Sequence, residues 1–271
     1  MTDALVKPYG VAASSAGVIY VADSASRRVH VFNPEARTVT FLGERGNGRL
    51  VKPIGVTVDA ADVVYVADAT LKRVFGYGPE GALRIALGRD GELENPSGIA
   101  IDPSGERLYV ADASKHHVVA YSTETGAIVR TIGRRGEAEG EFNFPTNIAV
   151  DRRGWLYVAD TLNFRIQMFD AEGRFVRTFG QIGDSFGSMN RPKGIAVDSE
   201  GHVYVVDASF NNFQIFDEQG QLLLFVGSGG AGSGEFFLPA GMFIDAQDRI
   251  YVADQGNARV QVFQYLNGAS R

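Results

Sequence analysis

Short apolar runs recur along the chain, each closed by an aspartate or a glycine, and the stretch from Asn147 to Gly180 carries four of them. NIAVD (Asn147–Asp151) is the first. DRRG (Asp151–Gly154) then places Asp first and Gly fourth, the order of a β-turn. LYVAD follows, then RIQMFD (Arg165–Asp170), a turn at Gly173, and RFVRTFG (Arg174–Gly180). β-Branched and aromatic residues fill all four runs, and no stretch of ~10–12 residues has helical spacing. The pattern predicts a four-stranded antiparallel meander.

The same unit occurs six times. A Tyr-Val-x-Asp box ends at Asp23, Asp68, Asp112, Asp160, Asp207 and Asp254, at intervals of 44 to 48 residues. A proline opens each copy, at Pro8, Pro53, Pro96, Pro145, Pro192 and Pro239. Two residues later stands Gly10, Gly55, Gly98, Asn147, Gly194 or Gly241. A single meander cannot bury both its faces, and radial packing of copies solves this. Four strands per repeat of ~40–50 residues predict an all-β, six-bladed β-propeller of four-stranded antiparallel blades, with residues 1–271 as one domain. The last blade is expected to lack its own outer strand, since only QYLNGASR follows Phe263. That leaves Arg259, Val260, Gln261, Val262 and Phe263 as an open-edge strand. Residues 1–6 are expected to pair there poorly, unless an upstream segment or a partner strand completes the blade.

The sequence P-x-G-[IV]-A-[VI]-D, then G-x-[LV]-Y-V-A-D, then N-x-R-[IV]-Q-x-F resembles the NHL repeat over essentially the whole chain. Copies four and six, with Asn163 and Arg165, and Asn257 and Arg259, match best. The resemblance implies a non-enzymatic propeller scaffold for protein–protein interaction. Bacterial chains of this kind are often exported and accompany envelope or cytochrome-containing redox assemblies, which favours an extracytoplasmic place. Two alternatives come with the family: a small-molecule enzyme of amidating-lyase or lactonase type, and an RNA-binding domain.

Composition narrows these. The net charge is −6, so a broad nucleic-acid footprint is not expected, though Arg130, Arg134, Arg135, Arg152 and Arg153 form a local basic patch. There are no cysteines, which removes disulfides and thiolate chemistry. No apolar run approaches the ~20 residues of a membrane span, and the start MTDALVKPYG has no signal-peptide core.

No catalytic residue, metal or cofactor is called for. An amidating lyase would need converging histidines. The four here fall in a third strand (His30), a hairpin tip and the strand after it (His116, His117) and a turn at the opposite end of a blade (His202). The residues after the opening prolines, Tyr9, Ile54, Ser97, Thr146, Lys193 and Ala240, include no carboxylate for a lactonase-type calcium. Asn147 is a calcium-ligand type, but one amide is no cage; it is read as a residue tolerating the positive φ of the glycine it replaces. The box aspartates are expected to pair with the residue five places on, Arg28, Arg73, Arg165 or Arg259, with His117 and Asn212 as departures. Asp59, Asp102, Asp151, Asp198 and Asp245 are read as turn residues.

Partner contacts are expected on the face shared by the second-to-third-strand hairpins and the blade connections. The candidates are Leu71, Lys72, His116, Arg134, Arg135, Leu162, Asn163, Phe164, Phe210 and Asn211. Phe142 and Phe236, each in a Gly-Glu-Phe motif, are expected to pack inward.

Overall fold

In the computed structural model, which describes residues 4–264, blade one runs Pro8–Ala13, Ile19–Asp23, Arg28–Asn33 and Thr38–Leu42. Each strand is antiparallel to the one before it. Blades two to five repeat this order from Pro53, Pro96, Pro145 and Pro192. Blade six has three strands among the described residues, Pro239–Ile244, Arg249–Asp254 and Arg259–Gln264. The first strands stand around an axis. Each touches the first strands of the blades on either side, and Pro239–Ile244 touches Pro8–Ala13, so the ring closes.

Apolar side chains interlock between neighbouring sheets and form one core at each junction. Tyr65, Leu93, Leu108 and Tyr121 fill the junction of blades two and three. Tyr157, Met168, Met189 and Phe216 fill that of four and five. Each large apolar side chain so buried contributes ~1.5–3 kcal/mol. Among the described residues the core between blades six and one is the smallest, with Val11, Ala13, Val21, Tyr251 and Ala253 as its buried members.

Among the described residues, blade six also leaves its third strand uncovered. Among the described residues nothing pairs with the outer side of Arg259–Gln264, and Val262 is 50% exposed. The equivalent strand of blade five, Asn212–Phe216, is covered by Leu222–Val226 and buried over Phe213–Phe216. Residues 4–6 do not take up that edge, contrary to expectation. The Val6 and Lys7 amides donate to the Asp23 carboxylate, at 2.6 Å for Val6, so this segment serves as the connection into blade one. Leu5 packs into the core between blades six and one. Residues 1–3 of the expected pairing lie outside the described part. An uncovered edge beside the smallest core predicts where the ring opens. In hydrogen exchange, amides of Arg259–Gln264 and of Pro8–Ala13 exchange before those of Arg107–Asp112 in blade three; the reverse order contradicts it.

The glycines two residues after the opening prolines answer a need for room. None of Gly10, Gly55, Gly98, Gly194 and Gly241 has positive φ. A Cβ at Gly55 would run into the Ser97 carbonyl oxygen of the next blade, and one at Gly241 into that of Tyr9. The expectation that Asn147 holds a left-handed conformation is therefore corrected: it is not among the positive-φ residues. Asn147 is the residue against which Gly98 packs, and its Oδ1 accepts the Ile148 N–H at 2.9 Å.

Candidate functional site

The box aspartates are wholly buried, and their partners explain the repeat. Asp68 accepts the Val51 and Lys52 amides of the connection entering its blade, at 2.6 and 2.9 Å. It also accepts the Thr70 and Leu71 amides of its own hairpin tip, at 3.0 and 2.9 Å. The carboxylate thus ties connection and tip together on one face. In blade four, Arg165 and Gln167 stand two apart on the third strand and so point to one side, and Asn163 ends the short 3-10 turn before it. All three reach Asp160 Oδ2, at 2.8, 2.9 and 3.1 Å. Asn257, Arg259 and Gln261 repeat this on Asp254.

The expected Asp–Arg pairing thus holds in blades four and six. In blade one Arg28 reaches Glu44 at 2.9 Å and lies 3.6 Å from the centre of the Phe41 ring. In blade two Arg73 reaches Asp90 at 3.2 Å. In the two departures the side chain is left wanting: His117 Nε2 and Asn212 Oδ1 are buried with no hydrogen-bond partner. Burial holds the His117 pKa below its ordinary value, despite the pull of Asp112. Asp112 and Asp207 are satisfied by backbone amides instead, those of Glu94 and Asn95, and of Asn190 and Arg191.

The aspartates ending the first strands are turn residues, as expected, and Asp59, Asp151, Asp198 and Asp245 also hold a box tyrosine. Asp151 accepts the Arg153 and Trp155 amides, both at 2.9 Å, and the Tyr157 hydroxyl at 3.1 Å. Asp245 does the same for Tyr251, whose pKa is pushed up to about 12 by burial and by that hydrogen bond.

Six residues at the hairpin tips, Arg27, Lys72, His116, Phe164, Asn211 and Ala258, all take left-handed backbone, with φ between 52° and 60°. The face is thus built of six turns of like conformation. Of the sequence-chosen residues on it, Leu71, Lys72, Leu162, Arg134 and Arg135 are exposed, and Phe164 and Phe210 are half-buried. Three are committed to the scaffold. His116 Nδ1 accepts the Phe144 N–H at 3.1 Å, Asn163 donates to the Gly136 carbonyl at 2.9 Å, and Asn211 accepts the Leu238 N–H at 2.8 Å. Phe142 and Phe236 are fully buried, as expected, over Gly133 and Gly227. The basic patch is partly neutralised within the blade region, since Arg134 pairs with Glu141, and Arg153 with Asp151 and Glu218. The histidines stand in blades one, three and five.

The connection aromatics Phe144 and Phe186 are also expected on this face, and around Phe186 and at the axis the structure adds two features. The first is an apolar surface on blade five. Phe186 is 75% exposed and lies flat on Phe225, ring centres 4.6 Å apart and planes at 16°. Leu223 and Leu224 on the same strand are exposed, as is Ile182 in the connection entering this blade. The signal was present in QLLLFVG: an outer strand with apolar residues at successive positions must show some of them to water.

The second is Lys193 at the mouth of the axis. Its side chain is buried, with Nζ 3.5 Å from the Tyr9 hydroxyl and 5.0 Å from the ring centre. Burial, with Arg191 and Lys7 nearby, lowers its pKa from 10.5 to about 8. Between those values the unfolded chain binds more protons at this site than the folded one, so the site's contribution to stability rises with pH. Lys193→Met is therefore expected to melt above wild type at pH 7, with the gap closing toward pH 10.5. An equal gap at both pH values would contradict this.

Residues 90–181 and 189–268, well over half of the chain, match the model of a family described as a 6-bladed beta-propeller. The chain belongs to that family. Within it, the NHL resemblance is borne out by the relatives of this propeller. It is 37% identical over 84 residues to NHL repeat-containing protein 2 of Gallus gallus, 28% of this chain and 11% of that protein. It is 38% identical over 82 residues to the probable peptidyl-alpha-hydroxyglycine alpha-amidating lyase pgal-1 of Caenorhabditis elegans, 29% of this chain and 23% of that one. The propeller thus matches under a quarter of the length of these relatives. Among solved structures it resembles a streptogramin B lyase, with a TM-score of 0.71 at 11% identity over 98% of this chain and 86% of that one. A Bacteroides thetaiotaomicron protein gives 0.75 at 17% identity, over 96% and 69%. At these identities the likeness is one of fold. Among the described residues no helix is long and apolar enough to cross a membrane.

Proposed function

We propose that this propeller is a protein-docking scaffold whose main contact surface is the outer side of blade five. The exposed Phe186–Phe225 stack, with Leu223 and Leu224 beside it, carries this reading. Outer strands elsewhere interrupt their apolar residues with Thr38 and Thr40, Arg84, Arg130 or Arg177; Leu222–Val226 has no such break. An apolar outer strand with a free backbone edge is a template for a partner strand, and stacked aromatics are typical anchors. The partner is a protein offering an extended apolar segment. Following the family resemblance, it belongs to a bacterial envelope or cytochrome-containing assembly outside the cytoplasm.

Capture from the native source with the tagged chain tests this. Wild type is expected to retain a discrete partner that Phe186→Ser/Phe225→Ser loses, with little change in melting temperature because both rings are exposed. The same set of proteins on both baits would overturn it. Phe164→Ser/Phe210→Ser is a second arm. An unchanged melting temperature with loss of the partner would extend the surface over the tips; a large drop would make these rings core.

A lyase of amidating type is the second reading, favoured by the identity with pgal-1. Stoichiometric zinc or calcium in the purified protein would support it over the scaffold.

A further inference from the structure

We propose that the mouth of the axial cavity binds a small organic acid, its carboxylate beside Lys193 and Tyr9 and its body in the cavity that Tyr9 lines. This goes beyond the docking surface and does not depend on it.

The charge at the mouth is the first argument. The residues just before the opening prolines are Lys7, Lys52, Asn95, Phe144, Arg191 and Leu238; those just after are Tyr9, Ile54, Ser97, Thr146, Lys193 and Ala240. Four of these twelve are cations and none is an acid, in a chain whose net charge is −6. Lys193 is the cation drawn inward. It is 8% exposed, forms no ion pair among the described residues, and has the Tyr9 hydroxyl as its polar contact. Lys193 stands in blade five and Tyr9 in blade one, so the side chain reaches across blade six, where the small Ala240 leaves space. A buried cation without a counter-ion is costly, and a bound carboxylate removes that cost.

The other hydroxyls at the mouth are already engaged. Thr146 bonds Thr161 at 2.6 Å, Thr161 donates to the Pro192 carbonyl at 2.8 Å, and Ser97 faces the Ala111 carbonyl at 3.2 Å. Lys193 and Tyr9 are the donors left at the mouth, and the Asn147 amide also stands in the cavity lining. Tyr9 also lines the cavity that runs along the first strands, where Ser97, Thr146 and Asn147 join Ile54, Val56 and Ile99 in a wall of mixed polar and apolar character around a volume of about 160 Å³. A volume near ~150 Å³ is enough for a benzene-sized guest. A carboxylate on a body of that size satisfies both ends.

Calorimetric titration of the full chain with benzoate tests the proposal, with benzyl alcohol as the neutral analogue and inorganic phosphate as the anion without a body. Saturable benzoate binding is expected. Benzyl alcohol, and benzoate on Lys193→Met, are each expected to bind weaker by about tenfold or more, the scale of a lost charge-assisted hydrogen bond. Lys193→Arg keeps the charge and is expected to keep binding, and melting curves check that both variants fold. Absence of benzoate binding, equal affinity in folded Lys193→Met, or phosphate binding as tightly as benzoate would each overturn the assignment.

Discussion

Asp160→Ala is expected to unfold about 10 °C below wild type in a thermal melt followed by circular dichroism. The substitution leaves the Asn143 amide, the Asn163 and Gln167 side chains and the Arg165 guanidinium without their shared acceptor. Arg165 keeps the Ala138 and Glu141 carbonyls but loses its counter-charge in a place where its side chain is 13% exposed. Breaking one side of such a buried pair costs ~3–5 kcal/mol, and for a domain near this size ~1 kcal/mol moves the midpoint by ~2–4 °C. Asp112→Ala is the comparison. Asp112 holds the Glu94, Asn95 and Lys115 amides, with no cation at the Arg165 position, so its loss is expected to cost less, ~1–3 kcal/mol. Equal drops for the two variants would show that the arginine adds nothing to the staple.

Gly55→Ala is expected to cost nearly as much, although it adds one methyl group. That methyl would meet the Ser97 carbonyl oxygen, the Ile99 amide and the Ile99 side chain of blade three. Two of those are backbone atoms of another first strand, so relief requires moving a blade about the axis. Overpacking of this kind costs ~1–3 kcal/mol and more where the surroundings are rigid. Gly105→Ala separates room from dihedral freedom. Gly105 sits at φ +75° in open space, so alanine there meets only the left-handed strain of ~1 kcal/mol. Similar midpoints for the two variants would refute the crowded-axis account.

The periodic residues were legible because each answers a need that every blade shares. A Tyr-Val-x-Asp box reads as a strand from alternation alone, and its Asp as a scaffold residue from its recurrence. Reading partners was harder. Five positions separate Asp23 from Arg28 as they do Asp160 from Arg165, yet Arg28 lies over Phe41 and reaches Glu44. The choice depends on what stands two residues further on. In blade four Gln167 helps bridge carboxylate and connection; in blade one His30 occupies that place, packed edge-on against Phe41. Asn147 departs from the expected left-handed backbone for a related reason. A glycine in a sequence suggests positive φ, but here it marks the approach of a neighbouring chain, and closeness between strands some 40–50 residues apart leaves no local trace.

By itself the sequence determined the six meanders, their closure into a propeller, the turn role of the first-strand aspartates and the inward packing of Phe142 and Phe236. These follow from period and chemistry within one repeat, where contacts are local and every copy meets the same constraint. The tertiary structure alone decided the small core where blade six meets blade one, the exposed stack of Phe186 on Phe225, and the reach of Lys193 past Ala240 to Tyr9. Each depends on which two blades face one another across the ring, and that is set by closure of the whole circle rather than by any segment of it.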